Sequence, residues 1–223
     1  MARYNNGING PIKGKVGNAI AANWRGIDYL RSTWEVTKPA SPAQLNQRQR
    51  FAVAMGWVKP LISLINIGFQ SVKTAKTPLN AAVSYHIKQA LTGDAPDFQI
   101  DFPKAIFSVG TLHPAVIREI SRKSNASLYI RWEDQLETIF CAGTDRATFI
   151  AYNPEKKKFL SFKDAAMRAD GEVLLELPPY FARDALHLYL FYVRSTGDEV
   201  STTQYLGEMK VEGKRFGLIQ EAK

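Results

Sequence analysis

The order of apolar and polar residues changes period along the chain. Residues 15–36 carry Val16, Ile20, Trp24, Ile27, Tyr29, Leu30 and Trp34 around an Arg25-Gly26 dipeptide. β-branched and aromatic residues flanking a glycine-bearing turn predict a β-hairpin. Upstream, residues 1–14 are rich in Gly and Asn, which reads as an extended arm with no core of its own. Ser41 is a good helix N-cap and Pro42 suits the first helical position. Ala43 to Val58 follows with helix-forming residues and a Phe51/Met55/Val58 stripe at helical spacing. Pro60 kinks or ends that helix, and Leu61 to Phe69 is a short apolar continuation. Thr77-Pro78 opens a further helix that Gly93 closes.

From about residue 98 the period becomes two. Leu128, Ile130 and Trp132 alternate with Tyr129 and Arg131, and Val173, Leu175 and Leu177 alternate with Glu172, Leu174 and Glu176. Residues 147–152 and 185–193 are dense apolar runs, as expected of strands buried on both faces. Strands are predicted near 105–109, 114–120, 127–133, 147–153, 172–177, 185–195 and 200–207, with a weaker one near 209–219 that Gly213 and Gly217 interrupt. About seven short strands separated by turn signals, with no helix between them, predict an antiparallel β-sandwich. The expected fold is therefore α+β and mainly β. Its parts are an arm, a β-hairpin and two or three helices over residues 1–97, then the sandwich over 98–223.

Charge divides the chain in the same place. Lys and Arg number 29 against 21 Asp and Glu, a formal charge of +8. Residues 1–100 hold 12 of the cations and four of the acids, so the whole excess lies there; the remainder holds 17 of each. Such asymmetry points to an acidic partner. Lys13, Lys15, Arg25, Arg31, Lys38, Arg48 and Arg50 interleave with Trp24, Tyr29 and Trp34, and the seven cations with Trp24 and Trp34 are the nine candidate binding residues. Cations meet phosphates or carboxylates, and aromatic faces stack on bases.

Catalytic patterns are sparse. His86, His113 and His187 are scattered and Cys141 is the single cysteine, so no pair has the spacing of a zinc site and no intrachain disulfide forms. A Gly-x-Ser-x-Gly elbow is missing. Gly10 to Gly17 lacks the Gly-Lys-Ser/Thr ending through which a Walker loop holds magnesium. His187 lies in an apolar run and reads as a core imidazole, and Cys141 after Ile139-Phe140 reads as a small hydrophobe. The acidic pairs Glu133-Asp134 and Asp198-Glu199 read as solvated turns. No metal, no cofactor and no enzymatic activity are expected. The first residues have no apolar h-region, and no apolar run is expected to reach the roughly 18 residues that cross a bilayer. A cytoplasmic protein or a component of an assembled particle is expected.

Two resemblances add to this. Leu128 to Trp132, as an early strand with a core Trp, and Glu172 to Pro178, Ala185 to Arg194 and Val200 to Leu206, as E-, F- and G-like strands, resemble a fibronectin type III-like or immunoglobulin-like sandwich. Gly14-Lys15-Val16-Gly17-Asn18, Trp24-Arg25-Gly26, Pro42-Ala43-Gln44-Leu45, Arg48-Gln49-Arg50-Phe51 and Asn80 to Tyr85, with Val200-Ser201 before Tyr205-Leu206, resemble an uncharacterised bacterial family of unknown function. That resemblance implies a shared architecture and no assigned activity. The expected function is a non-catalytic structural or interaction protein that self-associates, or docks on an acidic protein, through its basic half; a phage-like particle or a filament is such an assembly. The alternative is nucleic-acid binding by the same half.

Overall fold

A computed structural model of the chain describes residues 3–4, 12–24, 26–35, 38–72, 76–124, 126–133, 135–181 and 184–209. The chain divides into two compact units, Met1–Gln44 and Leu45–Lys223. The division falls at the start of a helix rather than near residue 97, because the helices share a core with the strands that follow.

In the first unit β1 (Arg3–Tyr4), β2 (Ile12–Val16), β3 (Ala19–Trp24) and β4 (Ile27–Ser32) form an antiparallel sheet in that order. Two-residue turns join β2 to β3 and β3 to β4, pairing Val16 with Ala19 and Trp24 with Ile27. Gly17 and Gly26 hold φ of 55° and 86°, the left-handed conformation that such tight turns require. Asn23 locks the second turn, accepting from the Gly26 N–H at 3.1 Å and donating to Asp28 at 2.8 Å. The predicted hairpin is present. The segment read as an arm contributes β1 and β2 to the same sheet, because Gly17-Asn18 turns the chain back on itself.

The helix α1 (Pro42–Val58) begins where Ser41 and Gln44 cap each other: the Gln44 N–H donates to Ser41 Oγ at 3.3 Å, and the Ser41 N–H to Gln44 Oε1 at 3.1 Å. A 3₁₀ turn at Lys59–Leu61, set by Pro60, leads into α2 (Ile62–Gly68). After Thr77, whose hydroxyl accepts from the Asn80 N–H at 3.2 Å, α3 (Pro78–Tyr85) runs into a π-helical turn at His86–Ala90. β5 (Leu91–Thr92) and β6 (Gln99–Ile100) pair as a short ribbon. Ala54, Trp57, Val58, Leu61, Leu64 and Ile65 form the buried stripe of α1 and α2; Phe51, placed in that stripe by spacing, is exposed. The stretch Pro42–Gly68 is long and apolar enough to cross a membrane by length and composition. Its stripe is built into a core with Tyr152, Tyr189 and Phe191, which accounts for that apolarity within the fold.

The strands β7 (Ile117–Ser124), β8 (Ser127–Trp132), β9 (Arg146–Asn153), β10 (Lys158–Met167), β11 (Glu172–Glu176), β12 (Leu186–Val193) and β13 (Gln204–Met209) form two antiparallel sheets, ordered β10-β9-β12-β13 and β11-β8-β7. β9 and β12 are central and buried on both faces. Phe149, Ala151, Leu188, Leu190 and Tyr192 face Leu128, Ile130, Trp132 and Leu175 of the smaller sheet. Ile150, Tyr152, Tyr189, Phe191 and Val193 face the helices. Strands covered on both sides need apolar residues at every position, which explains the two dense runs.

The seven strands of these sheets match the expected number but not the expected set. Residues 105–109 are not a strand. The Thr203 hydroxyl takes the Phe107 and Ser108 N–H groups at 2.9 and 2.8 Å, and the Val109 N–H donates to the Gly68 carbonyl, so this segment is stitched into place by single bonds rather than a ladder. Gly68 is required there, since a Cβ would lie 2.1 Å from the Phe107 carbonyl oxygen. β10 was not predicted and takes the vacant place. The strand proposed near 209–219 lies outside the described residues.

Candidate interaction surface

The pairing register gathers part of the predicted basic set. Gly14 opposes Ala21 and Lys15 opposes Ile20, while Ile20 opposes Arg31 and Ala22 opposes Tyr29. Opposed residues share a face and alternate residues along a strand share a face. Lys13 and Lys15 of β2, Ile20, Ala22 and Trp24 of β3, and Ile27, Tyr29 and Arg31 of β4 therefore project from one face. Asp28, the acidic residue of these three strands, lies on the other, with Val16, Ala21, Asn23 and Leu30. Lys15 and Arg31 flank Ile20 at two strand spacings, about 10 Å. Three cations and two aromatic rings on one face, without a carboxylate, make a surface complementary to an anion.

Large apolar side chains stand exposed on both faces among the described residues. Among the described residues of β2–β4, Ala21 at 6% is the buried side chain. Ile27 is 62% and Leu30 70% exposed, and Val16, Trp24 and Tyr29 are exposed as well. Trp34, beyond the end of β4, is 75% exposed. β4 ends the sheet, and all six of its residues are exposed.

The other predicted residues are distributed differently. Lys38 is exposed after the sheet and Arg48 is exposed on α1. Arg25 lies outside the described residues. Arg50 is half-buried and engaged in the fold: its Nη2 donates to the Ile87 carbonyl at 3.2 Å and its guanidinium lies 5.8 Å from the Phe98 ring centre. Tyr29, interleaved with the cations in the sequence, joins the face, and so do Ile27 and Ile20, which were not counted among the candidates. The signal that would have found them is Gly17-Asn18, a two-residue hairpin dipeptide that fixes the register of β2 on β3, together with the two-residue turn between Trp24 and Ile27 that fixes β3 on β4.

Cys141 is buried, and its thiol lies 3.7 Å from Gln135 Oε1. Among the described residues no group of three His, Cys, Asp or Glu side chains is placed to hold a metal ion. Glu133 pairs with Arg118, and Asp198 accepts from the Thr196 hydroxyl in an exposed turn. Arg168, 2% exposed, is the centre of a buried network. Its Nε reaches Asp145 at 3.2 Å, Nη1 reaches Gln135 at 2.7 Å and Nη2 reaches the His113 carbonyl at 2.8 Å, while its guanidinium stacks 3.7 Å from the Tyr192 ring centre. These residues are far apart in sequence, so no local pattern announces them.

Burial lowers the pKa of two histidines. His86 is fully buried, with Nδ1 2.8 Å from the Ala82 carbonyl. Desolvation lowers its pKa, against an opposing pull from that carbonyl. His187 lies 2.8 Å from the Tyr205 hydroxyl, and desolvation lowers its pKa too, against the attraction of Glu208. The unfolded chain then binds more protons than the native one below the ordinary imidazole value of about 6.5. Stability is full above that value and falls as the pH drops through it. The urea midpoint is expected to be lower at pH 5.5 than at pH 7.5; an unchanged or higher midpoint contradicts this.

A family model described as a family of unknown function, DUF6266, matches residues 11–207. The chain belongs to this family. No curated protein matches it. The DUF6266 match runs from just before β2 into β13 and so spans both units, which makes the N-terminal sheet part of what defines the family rather than an appendage of this chain.

Proposed function

We propose that this DUF6266 protein is a non-catalytic assembly protein whose N-terminal sheet binds another copy of the chain, in the cytoplasm or in an assembled particle. The observation that carries the reading is the sheet of β2–β4, with Ile27 and Leu30 bare on opposite faces and Ala21 the buried side chain. A few strands with both faces in water bury too little apolar area to offset the entropy of ordering them. Covering those faces supplies the missing burial, at about 25 cal/mol per Å². The second unit serves as the scaffold. A fibronectin type III-like reading of it is supported by β8 beside β11, β12 beside β13, and three strands facing four.

Sedimentation equilibrium on the full chain tests the proposal. A mass above 25.0 kDa that rises with concentration is expected. Leu30→Asp is expected to weaken association about tenfold or more, since a charge then enters an apolar contact at a cost above about 1.4 kcal/mol. A mass of one chain at every concentration overturns the reading.

A second reading, single-stranded nucleic acid on the basic face, is supported by the register that sets Lys13, Lys15 and Arg31 around Trp24 and Tyr29. Three phosphate contacts give a slope of about −2 in log affinity against log salt, at about 0.7 per contact for single strands. Lys15→Ala is then expected to reduce that slope by about a third in an anisotropy titration with a labelled oligonucleotide. Absence of binding at low salt removes this reading.

A further inference from the structure

The outer edge of β4 points to the mode of that self-association. This inference rests on the proposed self-assembly and specifies its geometry. An edge strand carries a row of unpaired N–H and C=O groups and is a template for another strand unless it is short, charged, interrupted by proline or covered. β4 reads Ile27-Asp28-Tyr29-Leu30-Arg31-Ser32, six exposed residues with no proline and no bulge, whose two charges are of opposite sign and so leave the strand with no net charge to repel a copy of itself. Among the described residues no strand pairs with its outer edge. The opposite edge of the sheet is different: β1 has two residues and covers β2 at Ile12 and Lys13.

We propose that β4 pairs antiparallel with β4 of a second copy, fusing two four-stranded sheets into one continuous sheet across a two-fold axis. An isologous contact requires the strand to complement itself. An antiparallel two-fold also keeps corresponding faces on the same side, so each residue opposes one of its own face. Centring the axis on Leu30 satisfies both conditions. Leu30 meets Leu30 of the other copy on one face, and Asp28 meets Ser32 as acceptor and donor. On the other face Tyr29 meets Arg31, a cation against an aromatic ring. Moving the centre to Tyr29 sets Asp28 against Leu30 and Arg31 against Ile27, which leaves both charges opposite aliphatic side chains. The Leu30-centred register continues the basic face of each sheet across the axis, bringing the two Arg31 side chains onto one surface with Lys13 and Lys15 of both copies.

The test uses cysteine variants of the full chain, since the native Cys141 is buried. Directly opposed residues hold their Cβ atoms about 4.5–5.5 Å apart, close to the span of a disulfide. Under mild oxidation Leu30→Cys alone is expected to give a covalent dimer, and Asp28→Cys combined with Ser32→Cys is expected to do the same. Asp28→Cys alone is expected to cross-link at least about tenfold more slowly, because its equivalent in the other copy sits four residues, about 13 Å along the strand, from the residue it opposes. A native mass above one chain together with no preference for Leu30→Cys over Asp28→Cys overturns the edge pairing and leaves self-association standing. A native mass of one chain overturns both.

Discussion

Arg168→Ala is expected to destabilise the protein by about 3–5 kcal/mol, the range for breaking a buried ion pair by removal of one partner. Asp145 is fully buried, and Arg168 is the cation it faces at 3.2 Å. Truncation strands that carboxylate and leaves Gln135 and the His113 carbonyl without their donor. It also removes the guanidinium stacked over Tyr192. The backbone at this position is equally committed: the Arg168 carbonyl accepts from Trp132 Nε1 at 2.7 Å, and its N–H donates to the Asp145 carbonyl at 2.8 Å. For a chain of this length the loss corresponds to a fall in Tm of about 6–20 °C. The double variant Arg168→Met with Asp145→Leu is expected to be more stable than Arg168→Ala, because no uncompensated charge remains. It does not recover fully, since Asp145 also accepts from the Ala142 N–H at 3.1 Å. Urea unfolding of the three proteins checks the order, and a double variant less stable than the single one contradicts this account of the network.

Trp57→Ala carries a comparable expected cost, about 3–5 kcal/mol. Trp57 lies on the buried stripe of α1 and packs edge-on against Tyr152 and Phe159, with ring centres 4.4 and 4.8 Å away. Phe102 and Phe107 lie at 5.6 and 6.2 Å. Deleting the indole removes these ring contacts between α1 and the strands and leaves a cavity in the shared core. Its Nε1 has no hydrogen-bond partner among the described residues, so Trp57→Phe gives up no bond and is expected to cost about 1–2 kcal/mol, from volume alone. Near-UV circular dichroism and urea midpoints separate the cases. Equal losses for Ala and Phe would place the stabilisation in the indole N–H rather than in packing.

How far the sequence foretold this structure depended on how local each determinant was. β8 and β11 were legible because their apolar positions alternate at period two, and β9 and β12 because strands covered on both faces are apolar throughout. β10 was missed because its alternation breaks. The pairing with β9 shifts between Phe162 and Ala166, with Asp164 at a φ of 51°, so its two ends obey different phases. β7, Ile117–Ser124, was placed three residues early, since an edge strand reading Ile-Arg-Glu-Ile-Ser-Arg-Lys-Ser has little apolar pattern to fix its ends. Of the candidate surface, the charges were legible and their convergence was not. Lys13, Lys15, Trp24 and Arg31 meet only because two dipeptide turns set the register, and Arg50 leaves the set because Ile87 and Phe98 hold it. The Arg168 network joins residues 23 to 55 positions apart, a distance at which sequence periodicity is silent.

The central claim is that the N-terminal sheet depends on a partner copy for its order. Amide hydrogen exchange on the full chain, followed at low and at high protein concentration, tests it most directly. Protection of residues 12–32 is expected to rise with concentration, while that of β9 and β12 stays constant. Protection of residues 12–32 that is the same at both concentrations would contradict the claim.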